Sequence, residues 1–190
     1  MLPADHAAAA AESPLVERAM AQRSWSGSWP VIATVVDLVS GGSETDEQAR
    51  GQLQAQLDDL RMLGTEVAVV SGTPVGLFVG LEVCARPGAD PEELRLEILG
   101  VLRPGPDDRP GLFHPSRLLL GSAVYLSTVV AAVAALARVD AVAVREARRL
   151  SEPAPTVHDV IAFGPDEVGV LDDDPARPER GRLDVQVHGS

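Results

Sequence analysis

Hydrophobic and polar positions follow two different rhythms along this chain. Val31 to Val39 is almost continuously apolar and β-branched, between Pro30 and Ser40-Gly41-Gly42, which is the pattern of a buried strand. The period then changes. Leu53, Leu57 and Leu60 recur at i, i+4 and i+7, predicting a helix with one core-facing stripe. Ser43 or Thr45 is its expected cap, and Glu44, Asp46 and Glu47 suit its positive end. Gly64 is the expected C′ residue. Glu66 to Val70 predicts a second strand, Ser71 to Pro74 a turn and Val75 to Ala85 a third strand, in which Leu77, Val79, Leu81 and Val83 alternate.

Asp90-Pro91-Glu92-Glu93 supplies a cap, a proline at the first helical position and acids in the first turn. Leu94, Ile98, Val101 and Leu102 form the apolar face of that helix. Arg103 to Gly111 holds three prolines and two glycines and reads as a loop. Ser127 is the expected cap of an apolar helix from Thr128 to Ala137, and Val139 to Arg145 reads as a strand. A polar connector, Ala147 to Thr156, leads to three short β segments: Val157 to Phe163, Glu167 to Leu171 and Leu183 to Val187. Gly164-Pro165-Asp166 is a turn between the first two. At the front, Met1 to Gln22 is Ala-rich, with a helix start at Ser13-Pro14 and Leu15, Val16, Ala19 and Met20 on one face. It reads as a short helix or a tether.

The resulting order is βαββαβ with one extra helix and trailing β segments. That is an α+β fold: a mixed sheet covered on one face by helices, in the ferredoxin-like or split-βαβ arrangement. Expected domains are a tether with a Trp anchor over 1–29, a first α/β unit over 30–86 and a second over 87–190.

Composition narrows the function classes. Apolar residues make up 45% of the 190, enough for a real core. The net charge is −12 and all sixteen basic residues are Arg. So acidic a chain lacks the basic face that nucleic acid or an anionic membrane demands. Cys84 is the single cysteine, so no intrachain disulfide forms, and its place in an apolar strand predicts burial. The uncharged run Leu118 to Ala137 is broken by Gly121 and Ser122 and carries Tyr125, Ser127 and Thr128, which fits a buried helix better than a membrane span. Met1 to Ala11 lacks a positive n-region and is interrupted by Asp5, so no signal peptide is expected.

His6, His114, His158 and His188 stand at no metal-ligand spacing from one another or from Cys84. There is no phosphate loop and no nucleophile elbow. The expectation is no cofactor, no metal and no enzymatic activity. His114, between Phe113 and Pro115, is read as a hydrogen bonder that pins its loop rather than as a general base. Asp172, Asp173 and Asp174 are read as a solvated turn rather than a calcium site. Arg145, Arg148 and Arg149 suggest a pairing surface for an acidic neighbour, or a solvated face. Trp25 and Trp29 flank Ser26-Gly27-Ser28 and are read as anchoring a linker onto the core, in preference to an exposed hot spot.

One stretch carries a family resemblance. Leu112 to Ser127, LFHPSRLLLGSAVYLS, joins an aromatic-His-Pro loop to a Gly and then to Val-Tyr-Leu-Ser opening a helix. It resembles the late signature of baseplate J-like proteins, wedge proteins of contractile phage tails and related injection systems. Arg138-Val139-Asp140-Ala141-Val142 continues it. So do Asp166-Glu167-Val168, Leu171-Asp172-Asp173-Asp174-Pro175 and Pro178-Glu179-Arg180-Gly181-Arg182-Leu183. The resemblance runs over roughly Trp25 to Gly189, as the C-terminal region of such a protein. Two departures stand out: the long N-terminal arm usual in the family is missing, and an Asp-Asp-Arg-Pro insert precedes Phe113.

The resemblance implies a non-enzymatic assembly protein linking hub and spike to sheath. Its partners would be a second wedge protein and hub, spike, sheath or tube subunits. It would assemble in the cytoplasm, in several copies per particle. Docking is expected through Trp25, Trp29, Arg109, Phe113, His114, Arg117 and Tyr125, with the acidic net charge selecting a basic partner face. The rival reading is a small α/β enzyme or ligand-binding module with a pocket at His114, Arg117 and Tyr125.

Overall fold

The computed structural model describes residues 2–25, 27–38, 43–62, 64–106 and 108–189. The elements run α1 Pro3–Ala11, β1 Val16–Trp25, β2 Pro30–Leu38, α2 Ser43–Asp58, β3 Glu66–Ser71, β4 Thr73–Ala85 and α3 Pro91–Leu102. They continue with β5 Val124–Tyr125, α4 Leu126–Ala134, β6 Val139–Arg149, β7 Val160–Ile161, β8 Glu167–Val170 and β9 Arg182–His188. The fold is α+β, as the period changes imply. It divides into two compact units, Met1–Thr73 with Gly164–Glu167, and Pro74–Phe163 with Val168–Ser190. This division runs at other points than the expected 1–29, 30–86 and 87–190.

The first unit holds the sheet β1-β2-β3. The segment expected as a short helix or tether is instead α1 followed by a ten-residue strand, β1. Its Ala, Met, Glu, Gln and Arg residues favour a helix in isolation. Pairing along the β-branched strand β2, from Val16↔Leu38 to Trp25↔Pro30, overrides that preference. β2 then runs parallel to β3, Val31↔Glu66 to Val36↔Ser71, and a parallel pair needs a crossover, which α2 supplies. Adjacent Val35 and Val36 are both buried, so both sides of β2 are covered, as its unbroken apolar run predicts. Ala10, Val36, Leu53, Leu57 and Val67 form the core. Leu60 departs from the expected stripe and is 40% exposed. The reason is that α2 ends at Asp58, so Leu60 lies in the turn beyond it and Gly64 is not its C′ residue. α2 begins at Ser43; the side chains of Ser43 and Thr45, the expected caps, and the Ser40-Gly41-Gly42 turn lie outside what the structure describes.

In the second unit β4 is central. It pairs antiparallel with β6, Leu77↔Arg149 to Ala85↔Val139, parallel with β9, and also with β8. Leu77, Val79, Leu81 and Val83 are all buried, as the alternation requires. The same alternation turns Cys84 outward, and it is exposed rather than buried. α3 begins as its sequence dictates: the Asp90 carboxylate accepts the Glu92 and Glu93 N–H groups at 2.8 and 3.1 Å. Leu94, Ile98, Leu99 and Leu102 are buried from it. α4 begins one residue before Ser127, with Tyr125 in the cap position and no side-chain cap. The helix follows directly on the pairing of β5 with β7, and the Leu126 N–H donates to the Asp159 carbonyl at 2.9 Å.

The strands do not share one sheet. β3 and β4 are separated by Gly72 alone yet belong to different sheets, and β5 with β7 makes a third. The expected order of elements is present, but the pairing of a single ferredoxin-like sheet is not.

Candidate functional site

In the first unit, Trp25 closes the β1–β2 ladder opposite Pro30 and Trp29 lies in the connection just beyond it. Their side chains are 65% and 63% exposed. The expectation that they anchor onto the core is therefore corrected. A hairpin tip extends past the last ladder pair, while the core of the unit is filled by Ala, Val and Leu from α1, α2, β2 and β3. Trp29 lines an open 450 Å³ depression with Arg61, Met62, Gly64, Thr65 and Glu66. Met62 is also exposed. Trp29 and Met62 are thus two large apolar side chains left exposed on one depression.

In the second unit the proline- and glycine-rich loop is held by backbone bonds to the end of α3. Leu112 N–H donates to the Val101 carbonyl at 2.8 Å and Phe113 N–H to the Leu102 carbonyl at 3.0 Å. These satisfy two of the acceptors that a helix end leaves open. Gly111 makes the approach possible, because a Cβ there would stand 1.8 Å from the Arg103 carbonyl oxygen. Phe113 is consequently core, at 2% exposure, and its ring is no exposed anchor. His114 caps the short turn Pro115–Arg117: its Nδ1 accepts the Ser116 N–H at 3.2 Å and lies 2.8 Å from Ser116 Oγ. That is the loop-pinning role.

Phe113, Arg117 and Tyr125 converge on one 280 Å³ pocket, with Leu118, Val124 and Val129 completing its apolar wall. His114 and Arg109 are not among its lining residues. Tyr125 is exposed and also lines a second depression with Val130, Ala131 and Val160. Leu119, nearby in the chain, is 60% exposed. Pairing of Val124 with Ile161 and of Tyr125 with Val160 puts these residues on a framework that the local sequence does not announce.

The remaining candidates are engaged within the unit. Asp172 pairs with Arg180, Asp173 with Arg103 at 2.5 Å and Asp174 with Arg177 at 3.3 Å. The Ala176 N–H, with Arg177 beside it, holds the Asp174 carboxyl below the usual carboxylate range. Among the described residues no group of three His, Cys, Asp or Glu could hold a metal ion. The arginine cluster, read as a pairing surface or a solvated face, has partners within the unit. Arg148 bonds Glu146 and the Arg149, Leu150 and Glu152 carbonyls, and stacks on Phe78. Arg149 stacks on Phe163, and Arg145 pairs with Asp184 at 3.0 Å. Among the described residues no helix is long and apolar enough to cross a membrane.

This is a two-unit α+β protein with apolar side chains turned outward in each unit, an architecture suited to assembly contacts. Residues 3–70 match the family model of the Baseplate J-like central domain, so this part of the chain is similar to that domain. The match supports a structural role in a phage baseplate. It covers α1, β1, β2, α2 and nearly all of β3, and so coincides with the first unit. The resemblance read from the sequence over roughly Trp25 to Gly189 meets this match only as far as residue 70; its assignment to the C-terminal region of such a protein, with Leu112 to Ser127 as the signature, is not matched. No curated protein matches the chain.

Proposed function

We propose that this chain is a wedge component of a contractile phage tail-like baseplate, connecting hub and spike to sheath without catalysing a reaction. The observation that carries the reading is the Baseplate J-like central domain over 3–70. The exposed Trp25, Trp29 and Met62 of that same unit support it, since Trp is enriched where subunits meet. Assembly takes place in the cytoplasm with several copies per particle, and the neighbours are other baseplate subunits. The ligand-module reading loses its base, because His114 is tied to Ser116 and does not line the pocket.

The test is reconstitution. The chain is co-expressed with the sheath, tube, spike and second wedge genes of its own cluster, and particles are purified by sedimentation. The chain should be retained in the particles and visible at the baseplate end. Trp25→Ser with Trp29→Ser should reduce incorporation while leaving the melting temperature unchanged. Complete, contractile particles formed without the chain overturn the reading.

A further inference from the structure

Most arginines of the second unit that the sequence might offer to a partner are already paired, as with Arg103, Arg138, Arg145, Arg177 and Arg180. Arg117 has no ion pair or side-chain hydrogen bond among the described residues. It is exposed, yet it lines the 280 Å³ pocket whose floor is the buried Phe113. The pocket therefore joins a mostly apolar lining to one exposed cation. It falls just short of the volumes that hold drug-sized ligands, roughly 300–1,000 Å³, and suits one side chain. Tyr125 and Thr128 are the hydroxyl-bearing residues of its lining.

A guanidinium without a partner, in a chain of net charge −12, is a local reversal of sign. Planar guanidinium groups recognise carboxylates through paired hydrogen bonds. An apolar pocket beside an unpaired cation thus specifies two adjacent features of its occupant. We infer that the pocket receives an aliphatic or aromatic side chain of a different baseplate subunit, and that an Asp or Glu next to that residue pairs with Arg117. The inference rests on the reading of the chain as an assembly component. It replaces the expectation of a basic partner face at this spot with an acidic one. The pairing is weakened by salt, as exposed ion pairs are.

The experiment titrates the full ¹⁵N-labelled chain with capped dipeptides in the millimolar range, followed by amide shifts. The probes are N-acetyl-Phe-Glu-amide and N-acetyl-Phe-Gln-amide. The acidic peptide should give saturable shifts at Val124, Tyr125 and Thr128, and should bind about threefold more tightly than its neutral analogue, the size of an exposed ion pair. Arg117→Gln should remove that preference while retaining binding of the Phe side chain. No saturable shift, or equal binding of the two peptides, overturns the inference. Self-association of the wild-type chain that Arg117→Gln abolishes would make a second copy the occupant and overturn it also. Peptide binding needs no particle, so its failure leaves the wedge reading standing. A chain that binds the peptide but is absent from particles overturns the wedge reading, and with it the baseplate subunit as occupant, while the pocket's preference for an acidic neighbour stands.

Discussion

The side-chain amide of Gln54 sits on the outer edge of β3 in the place of a strand residue. Its Nε2 donates to the Val67 carbonyl at 2.7 Å and its Oε1 accepts the Val69 N–H at 2.9 Å. A residue of a neighbouring parallel strand, opposite Ala68, would make the same two bonds. One side chain from α2 thus closes part of a free sheet edge, and Asp58 Oδ1 holds its amide from the other side at 3.2 Å.

Gln54→Leu should leave both backbone groups without their partner, at a cost of about 1–3 kcal/mol in urea unfolding. It should also open the edge to pairing with another copy, seen as concentration-dependent light scattering. A variant that is as stable and as monodisperse as the parent would show that the edge needs no guard.

Leu57 and Leu60 separate core from turn. Leu57 is fully buried, and Leu57→Ala should cost on the order of 2–5 kcal/mol. Leu60→Ala should stay within about 0.5 kcal/mol. Equal losses at the two sites would place the end of α2 beyond Asp58.

Gly111→Ala brings a Cβ to within 1.8 Å of the Arg103 carbonyl oxygen and forces the loop off the end of α3. The expected loss is roughly 3 kcal/mol, at the upper end for overpacking. Gly51→Ala is the control. Gly51 lies inside α2 with nothing within 4 Å of an added Cβ, so it should gain about 0.8–1 kcal/mol from helix propensity. A neutral Gly111→Ala would mean that the Phe113 loop is not held by this close approach.

Acid should weaken the turn that carries Asp174. Its carboxyl is held below the ordinary range by the Ala176 N–H and by Arg177. A group whose folded-state pKa is lowered contributes stability that is full above its unfolded value and is lost as pH falls through the folded one. The midpoint of urea unfolding should therefore fall further with acid in the parent than in Asp174→Asn. Parallel pH curves for the two proteins would remove Asp174 from the account.

What was legible in the sequence is what neighbours along the chain decide. Asp90-Pro91-Glu92-Glu93 specifies the start of α3 because cap, proline and first-turn charges act within four residues. The alternation of Leu77, Val79, Leu81 and Val83 specifies which side of β4 is buried, because the pleat has a period of two. Cys84 obeys the same rule, and its exposure follows once that period is applied through to the end of the strand. Ser127 misled because the pairing of Val124 and Tyr125 with Ile161 and Val160 sets where strand gives way to helix, and α4 starts at Leu126, which puts Ser127 inside the helix rather than at its cap.

Period, charge and capping within the chain determined an α+β protein with three of its four helices, α2, α3 and α4, most of its strands, and the order in which these come. The tertiary structure alone decided which strands pair, because ladder partners such as Val16 and Leu38, or Val124 and Ile161, meet only when distant segments fold together. It made a strand of the helix-favouring Val16–Trp25, since pairing energy exceeds the small differences in intrinsic propensity. It also sent Phe113 into the core and left Arg117 and Tyr125 around the pocket above it. Burial is a property of what packs against a residue, and the residues that do so here are contributed by α3, α4 and the short β5.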